Sequence, residues 1–391
     1  MSSMGRIAAR ADRREVARVA LGAVPGAGEV RVLVRPLAAA IESLAAEWTA
    51  LADIASEPNA FAEHWFVAAS LPTMAAGRDI RLMEVRRGQG LIGLLPLEAH
   101  RGYARLPVGI VRNWSHDHMF LLTPLAAAGE ETAFWAAILA ALDEAGWAGN
   151  LLHLRGLNED GPVLRGLAAV RHVEIAHREV RAFLQSDLEP EAYYERAVRQ
   201  KKRKELRRLR NRLAEQGPVA FRTLDAAAEL DDWCSLYLTM EKAGWKGAAG
   251  SALAGRPETD AFFRAAVRAA WDAGRLQFLR LDVGETTIAM LVNFLSPPGS
   301  FSFKTVFDET HARFSPGVLI QRENLEILRR PGIAWMDSCA AADHPMIDSL
   351  WTERRAIVRV SVPLKGARRA IAFAFCRALE RGSAMFRKLL K

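Results

Sequence analysis

Lys304, Asp308, Glu309, His311, Arg313 and the tripeptide Ser315-Pro316-Gly317 fall in one short stretch. Their types suggest acid–base chemistry beside a binding site for a phosphorylated donor. Ser315 has the side chain of a helix cap, and Pro316 suits a first helical turn because it has no N–H to leave unpaired. Gly317 lets a ligand approach the free amides behind it, where the helix dipole adds roughly half a positive charge. Arg313 stands beside them. Asp308, Glu309 and His311 are candidates for a base, and His311 has the intrinsic pKa closest to neutrality. The expectation is an open groove in front of the Pro316 turn.

These residues need a strand and a helix to hold them. Phe301, Phe303, Thr305 and Phe307 alternate with Ser300, Ser302, Lys304 and Val306, the period-2 pattern of a half-buried strand. On that pattern Lys304 faces away from Phe303, toward anionic substrate or solvent. A helix follows from Pro316, then a strand holding Asp337. The strongest internal signal is a repeated hairpin. Ile80–Val85, a Gly88-Gln89-Gly90 turn and Leu91–Glu98 are echoed by Leu276–Leu281, a turn at Gly284 and Thr286–Leu295. Each hairpin is preceded by helical pattern and followed by strand and helix, so two similar α/β halves are expected. The boundary falls between Arg171 and Arg178. The expected division is a flexible segment 1–28, a first domain 29–175, a second domain 176–364 with the active site, and a basic amphipathic helix 365–391. One long helix is expected over Pro190–Gln216.

The motif set of Lys304, Asp308-Glu309, Ala312-Arg313-Phe314 and Ser315-Pro316-Gly317 resembles the GNAT-like acyltransferases of the cellulose-biosynthesis (CelD-like) branch, relatives of the Fem tandem-GNAT transferases. Asn59-Ala60-Phe61, Trp65, the basic helix Arg196–Arg212 and Gly244-Trp245-Lys246-Gly247 extend the likeness from about Val32 to Leu364. The resemblance implies two GNAT-like domains, each a mixed, mostly antiparallel sheet flanked by helices. It also implies direct acyl transfer from acetyl-CoA to an amine or hydroxyl of a sugar, polysaccharide precursor or other small acceptor, with no metal. Asp308 best matches the family's base, the loop with Trp245 and Lys246 resembles one near its acceptor cleft, Arg313 to Gly317 can anchor the donor's diphosphate, and Lys304 is a further candidate for substrate binding. The plain reading of Trp245 is a core side chain. Two departures stand out: no tyrosine lies near the site to protonate a leaving thiolate, and the phosphate turn is poor in glycine. Aminoacyl transfer from tRNA in the Fem manner and a non-catalytic scaffold in a polysaccharide machine are therefore kept as alternatives.

Composition bounds these readings. The chain has 391 residues, half of them apolar, which suits two globular cores. Three widely spaced cysteines suggest neither a disulfide framework nor a zinc cluster, and a cytoplasmic setting is expected. Net charge is +8, with ten Lys/Arg against one acid in Arg196–Arg212 and eight against one in Lys365–Lys391. The first of these segments reads as a solvated face, an anion-attracting wall or a tRNA surface. The second reads as a helix packed on the body or resting on an anionic membrane. His116-Asp117-His118 invites a metal reading, but no third ligand is evident and a polar loop beside Trp114 fits better.

Overall fold

The computed structural model describes residues 29–103 and 106–389, with 381–389 as backbone alone. The segment expected to be flexible, 1–28, lies outside these. Thirteen strands form one sheet: β1 Val30–Pro36, β2 Ile80–Arg87, β3 Gly90–His100, β4 Ile110–Asn113, β5 Leu125–Ala126, β6 Leu151–Asn158, β7 Glu174–Gln185, β8 Val219–Thr223, β9 Leu276–Val283, β10 Thr286–Ser296, β11 Gly299–Phe307, β12 Trp335–Asp337 and β13 Glu353–Pro363. Their spatial order is β1-β2-β3-β4-β6-β13-β7-β12-β11-β10-β9-β8, with β5 beside β3. Both expected hairpins are present, as β2–β3 and β9–β10.

Read inward from each end, the two runs match. Three antiparallel pairings lead to one parallel pair, β4 with β6 and β11 with β12, and then to a closing antiparallel strand. The closing strands are exchanged. β13, from the end of the second half, closes on β6 of the first, whereas β7 closes on β12. β13 also pairs with β7, which makes the sheet continuous. The expected division at 175/176 falls inside β7.

The helices cover the faces: α1 Leu37–Ser43, α2 Ala45–Asp53, α3 His64–Met74, α4 Glu131–Glu144, α5 Pro162–Val170, α6 Pro190–Ala197, α7 Gln200–Ala214, α8 Leu230–Ala243, α9 Trp245–Ala248, α10 Pro257–Asp272, α11 Pro316–Glu323, α12 Pro345–Asp348 and α13 Ala367–Leu389. The single long helix expected over Pro190–Gln216 is broken at Val198, which is extended and buried. Arg203 satisfies the carbonyls left at the break, bonding Val198 O at 3.1 Å and Glu195 O. In α7, Leu206, Leu209 and Leu213 are buried and most cations face solvent.

The halves meet in an aromatic core. Phe61, Trp65 and Phe66, on and just before α3, pack edge-on against Phe294 and Phe301 of the second half. Each ring contributes about 1.5–3 kcal/mol by leaving water. Asn59 fixes their approach, accepting from Phe61 N–H at 3.1 Å and donating to the carbonyls of Leu121 and Thr123. Buried Glu63 accepts from Trp65 Nε1 beside it and ties the halves again through Ser296 and Arg275. α13 has two faces. Cys376 and Phe373 pack on Tyr103, Ile110 and Leu151, whereas Ile371 and Phe375 are 71% and 52% exposed. Among the described residues, no helix is long and apolar enough to cross a membrane.

Candidate active site

The central departure from strand alternation is a bulge in β11. Val292 pairs with Lys304 but Asn293 pairs with Ser302, so Phe303 is an extra residue. A bulge leaves its extra residue outside the ladder and re-aims the side chains beyond it. Lys304 therefore does not face away from Phe303, as strict alternation predicts. Its Nζ lies 5.5 Å from the Phe303 ring centroid and 5.6 Å from that of Phe120, on the side of the inter-half aromatic core. Ser302 and Thr305 turn to the other face, where buried Gln321 of α11 donates to both hydroxyls. Gln321 and Asn324 bond one another, and Asn324 accepts from Asn293, so a buried amide network locks α11 onto the bulged strand.

Lys304 has no carboxylate within ion-pairing distance among the described residues. Burial pushes its ammonium down to about 8, with Lys246 adding to the effect and Glu241 and Asp117 opposing it. Such a group is mostly charged at neutral pH yet gives up its proton readily. Lys246 is paired instead, donating to Glu241 Oε1 at 2.9 Å, while Glu241 Oε2 accepts from Leu253 N–H at 2.7 Å. One buried carboxylate thus pairs with Lys246 and acts on Lys304 only through its charge, which leaves a surplus positive charge suited to a developing negative one.

The first half supplies the facing wall. His118 stacks on Phe262 and His116 on Phe66, and both imidazoles are held neutral, at about 3. Burial is the main cause for each. Lys304 and Lys246 add to it for His118, and His118 and Arg78 for His116. The two histidines are ring-packing groups, and no cluster of three or more His, Cys, Asp or Glu able to hold a metal occurs among the described residues. Cys339, after β12, gives its N–H to Asp337 Oδ1, and burial raises its thiol well above the ordinary value, which favours the protonated form.

The remaining expected residues divide into two groups. Glu309 accepts from Trp245 N–H at 2.5 Å, which joins the turn after β11 to α9. Trp245 is 60% exposed, in place of the core position its size suggests. Gly247 is required by space: a Cβ there would lie 1.8 Å from Lys242 O. Glu241, Trp245, Lys246, Thr305 and Glu309 line one small cavity of about 20 Å³. Asp308 is occupied locally, accepting from Thr310 N–H and pairing with His311 Nδ1 at 3.0 Å. Burial works to raise its pKa, but the Thr310 and His311 bonds outweigh it and hold the carboxyl below its usual value.

Arg313, Ser315, Pro316 and Gly317 lie outside that cavity. Ser315 adopts the left-handed conformation (φ 55°) and makes no capping bond, in place of the expected N-cap. Pro316 and Gly317 are buried, and a Cβ at 317 would lie 3.0 Å from Met346 Sδ and 3.1 Å from the Phe307 ring. Phe307 and Met346 thus pack directly on Gly317, where the sequence suggests an open groove.

A larger cavity of about 530 Å³ opens where the halves join, walled by Asp117, Phe120 and Cys339 and by Arg112, Arg155 and Arg359. Sequence reasoning missed the three arginines because they come from β4, β6 and β13, far apart in the chain. It also missed Glu241 and Phe120. The Trp114–His118 cluster was the one local signal of the facing wall.

Known structures share the fold. FemX is 10% identical over 82% of this chain and 96% of that one, with a TM-score of 0.57. The C-terminal domain (DUF2156) of an Agrobacterium fabrum protein named as a putative lysylphosphatidylglycerol synthetase is 12% identical over 85% and 96%, with a TM-score of 0.51. At such identities the likeness is one of fold. No curated protein matches the sequence. Residues 200–344, which hold Lys246, Lys304 and the turn after β11, match the family described as Acetyltransferase (GNAT) domain, and the fold is that of GNAT acyltransferases, present twice.

Proposed function

We propose that the protein moves an acyl group from a thioester donor, acetyl-CoA, to an amine or hydroxyl of a sugar, polysaccharide precursor or other small acceptor. The observation that carries this reading is Lys304, an unpaired, half-buried ammonium re-aimed by a bulge toward the junction of the halves, with its pKa lowered to about 8. In direct transfer the acceptor attacks the carbonyl carbon, the C–S bond breaks, the acceptor loses one proton and the thiolate gains one. Lys304 stabilises the carbonyl oxygen as it becomes negative and gives its proton to the departing sulfur. The neutral amine then takes the proton the acceptor sheds, which balances the step and supplies the acid that no tyrosine provides. Lys246 and Trp245 flank the acceptor, and Glu309 holds their loop. Asp308 and His311 brace the turn after β11. Thiol release from acetyl-CoA, measured over a panel of amino sugars and polyols, tests the activity. Absence of coenzyme A binding by calorimetry at millimolar ligand would remove the donor assignment.

A second reading has its own support. Lys201, Lys204, Arg207, Arg208 and Arg212 of α7 are exposed, and among the described residues the helix makes one ion pair within itself, Lys202 with Glu205 at 4.0 Å. That face suits aminoacyl transfer from tRNA, with α7 tracking phosphates. It requires tRNA binding that weakens steeply with salt. The exposed Ile371, Phe375 and Leu379 of α13, beside Arg368, suit a peripheral position on an anionic membrane. Flotation with anionic vesicles that survives removal of 365–391 would exclude it.

A further inference from the structure

The 530 Å³ cavity at the junction is built for an anion. Four arginines line it, Arg112, Arg155, Arg181 and Arg359, against two carboxylates, Asp117 and Glu179. They differ in what they already hold. Arg181 is spent on buried Asp337, with Nε 2.8 Å from Oδ1, and Arg112 donates to Glu98 at 2.8 Å. Arg155 gives one bond to Ser115 Oγ, while its buried Nε has no partner. Arg359 is exposed on β13 and has no carboxylate within ion-pairing distance among the described residues.

Burial lowers the Arg155 pKa, and Arg112 and Arg359 lower it further, so these guanidiniums repel one another in a partly desolvated place. Glu98, paired with Arg112, offsets part of that repulsion and leaves Arg155 and Arg359 without a carboxylate partner among the described residues. A multiply charged anion seated among them would relieve it and satisfy the open donors of Arg155 and Arg359, as planar guanidiniums do with phosphate.

We infer that this cavity binds a phosphate- or diphosphate-bearing ligand. The inference rests on the transferase reading only for what the ligand does there. Phe120 walls the cavity and lies 5.6 Å from Lys304 Nζ, and the charges of Asp117 and Cys339 in the same wall act on that lysine, so a phosphate held by Arg155 and Arg359 leaves the rest of its molecule on the side of that ammonium. The phosphate belongs either to the acceptor, which would then be a phosphorylated or nucleotide-linked sugar, or to the coenzyme of the donor.

Calorimetry of inorganic pyrophosphate into the full chain at low salt tests this without any turnover. Binding is expected, weakening with added salt and by about tenfold in Arg359→Glu, a site whose side chain supports no other part of the fold. Arg155→Gln should weaken it by a similar factor. Pyrophosphate binding that persists at saturating coenzyme A assigns the phosphate to the acceptor, and mutual exclusion assigns it to the donor. The readout is binding and needs no turnover, so a failure of the transferase reading leaves this result readable. No binding at millimolar pyrophosphate, or equal binding by the unaltered chain and Arg359→Glu, overturns the inference.

Discussion

The two halves repeat one strand order yet differ where the parallel pair ends. In the first half, β4 and β6 send Arg112 and Arg155 into the junction, and the loop after β4 carries Trp114, His116 and His118 as ring-packing groups. In the second, β11 is longer, bulged at Phe303, and brings a lysine with lowered pKa to the same junction. One copy of the architecture supplies static charge and a wall, and the other supplies a group that can exchange a proton. Duplication thus allows binding and chemistry to be divided between equivalent positions, because a bulge in one strand alone changes which side chain reaches the shared space.

The largest expected effect concerns the contacts that hold that junction in place. Asp337 is fully buried and bonds Arg181 and Arg355, which outweigh the effect of burial and keep its carboxyl below the usual range. Asp337→Asn leaves two guanidiniums around a neutral amide and should cost about 3–5 kcal/mol in urea unfolding. A loss under about 1 kcal/mol would mean that the pair is not what fixes the closing strands.

The contrast between proton exchange and static charge is tested next by Lys304→Met. It should lower kcat about 100-fold while the urea midpoint stays the same or rises, because a buried unpaired charge is removed. Equal kcat in the two proteins would end the proton-transfer role. In the unaltered chain, kcat should fall as pH rises through about 8, where the acid form is lost. Since the folded-state pKa is depressed below 10.5, the unfolded chain binds more protons between about 8 and 10.5, and this lysine's contribution to stability rises with pH across that window. The stability of the unaltered chain minus that of Lys304→Met should therefore climb over the same window, and a falling difference would contradict the burial argument.

Smaller effects separate positioning from chemistry. Gly247→Ala forces a Cβ into Lys242 O and should raise KM together with a loss of about 1–3 kcal/mol in stability. Glu309→Gln weakens the bond to Trp245 N–H and should cost about 1 kcal/mol, seen as a several-fold rise in KM with kcat nearly kept. A fall in kcat alone would instead make Glu309 the base.

Much of the fold is legible in the sequence because its signals are local. The two hairpins, the stripe of Leu206, Leu209 and Leu213, and the strand before Pro316 arise from periodicity and turn residues. The illegible part is non-local or breaks a period. No pattern announces that β13 rather than β7 lies beside β6, since both are apolar alternating strands able to pair with either neighbour. Alternation places Lys304 opposite Phe303, and only the mismatch with β10 reverses it. Ser315-Pro316-Gly317 has the composition of an anion-binding helix start, but its surroundings, Phe307 and Met346, come from the strand before and a segment well beyond. The arginines of the junction have no motif because separate strands contribute them.

The exchanged closing strands also bear on how the chain is made. β6 is synthesised about half a chain length before the strand that covers its edge, and β7 waits nearly as long for both of its neighbours. A nascent first half therefore presents an open ladder of amides and carbonyls to the ribosome's surroundings, the kind of edge that recruits foreign strands. The topology leads one to expect a late folding step once β13 has emerged, and poor tolerance of chains cut short anywhere before Pro363.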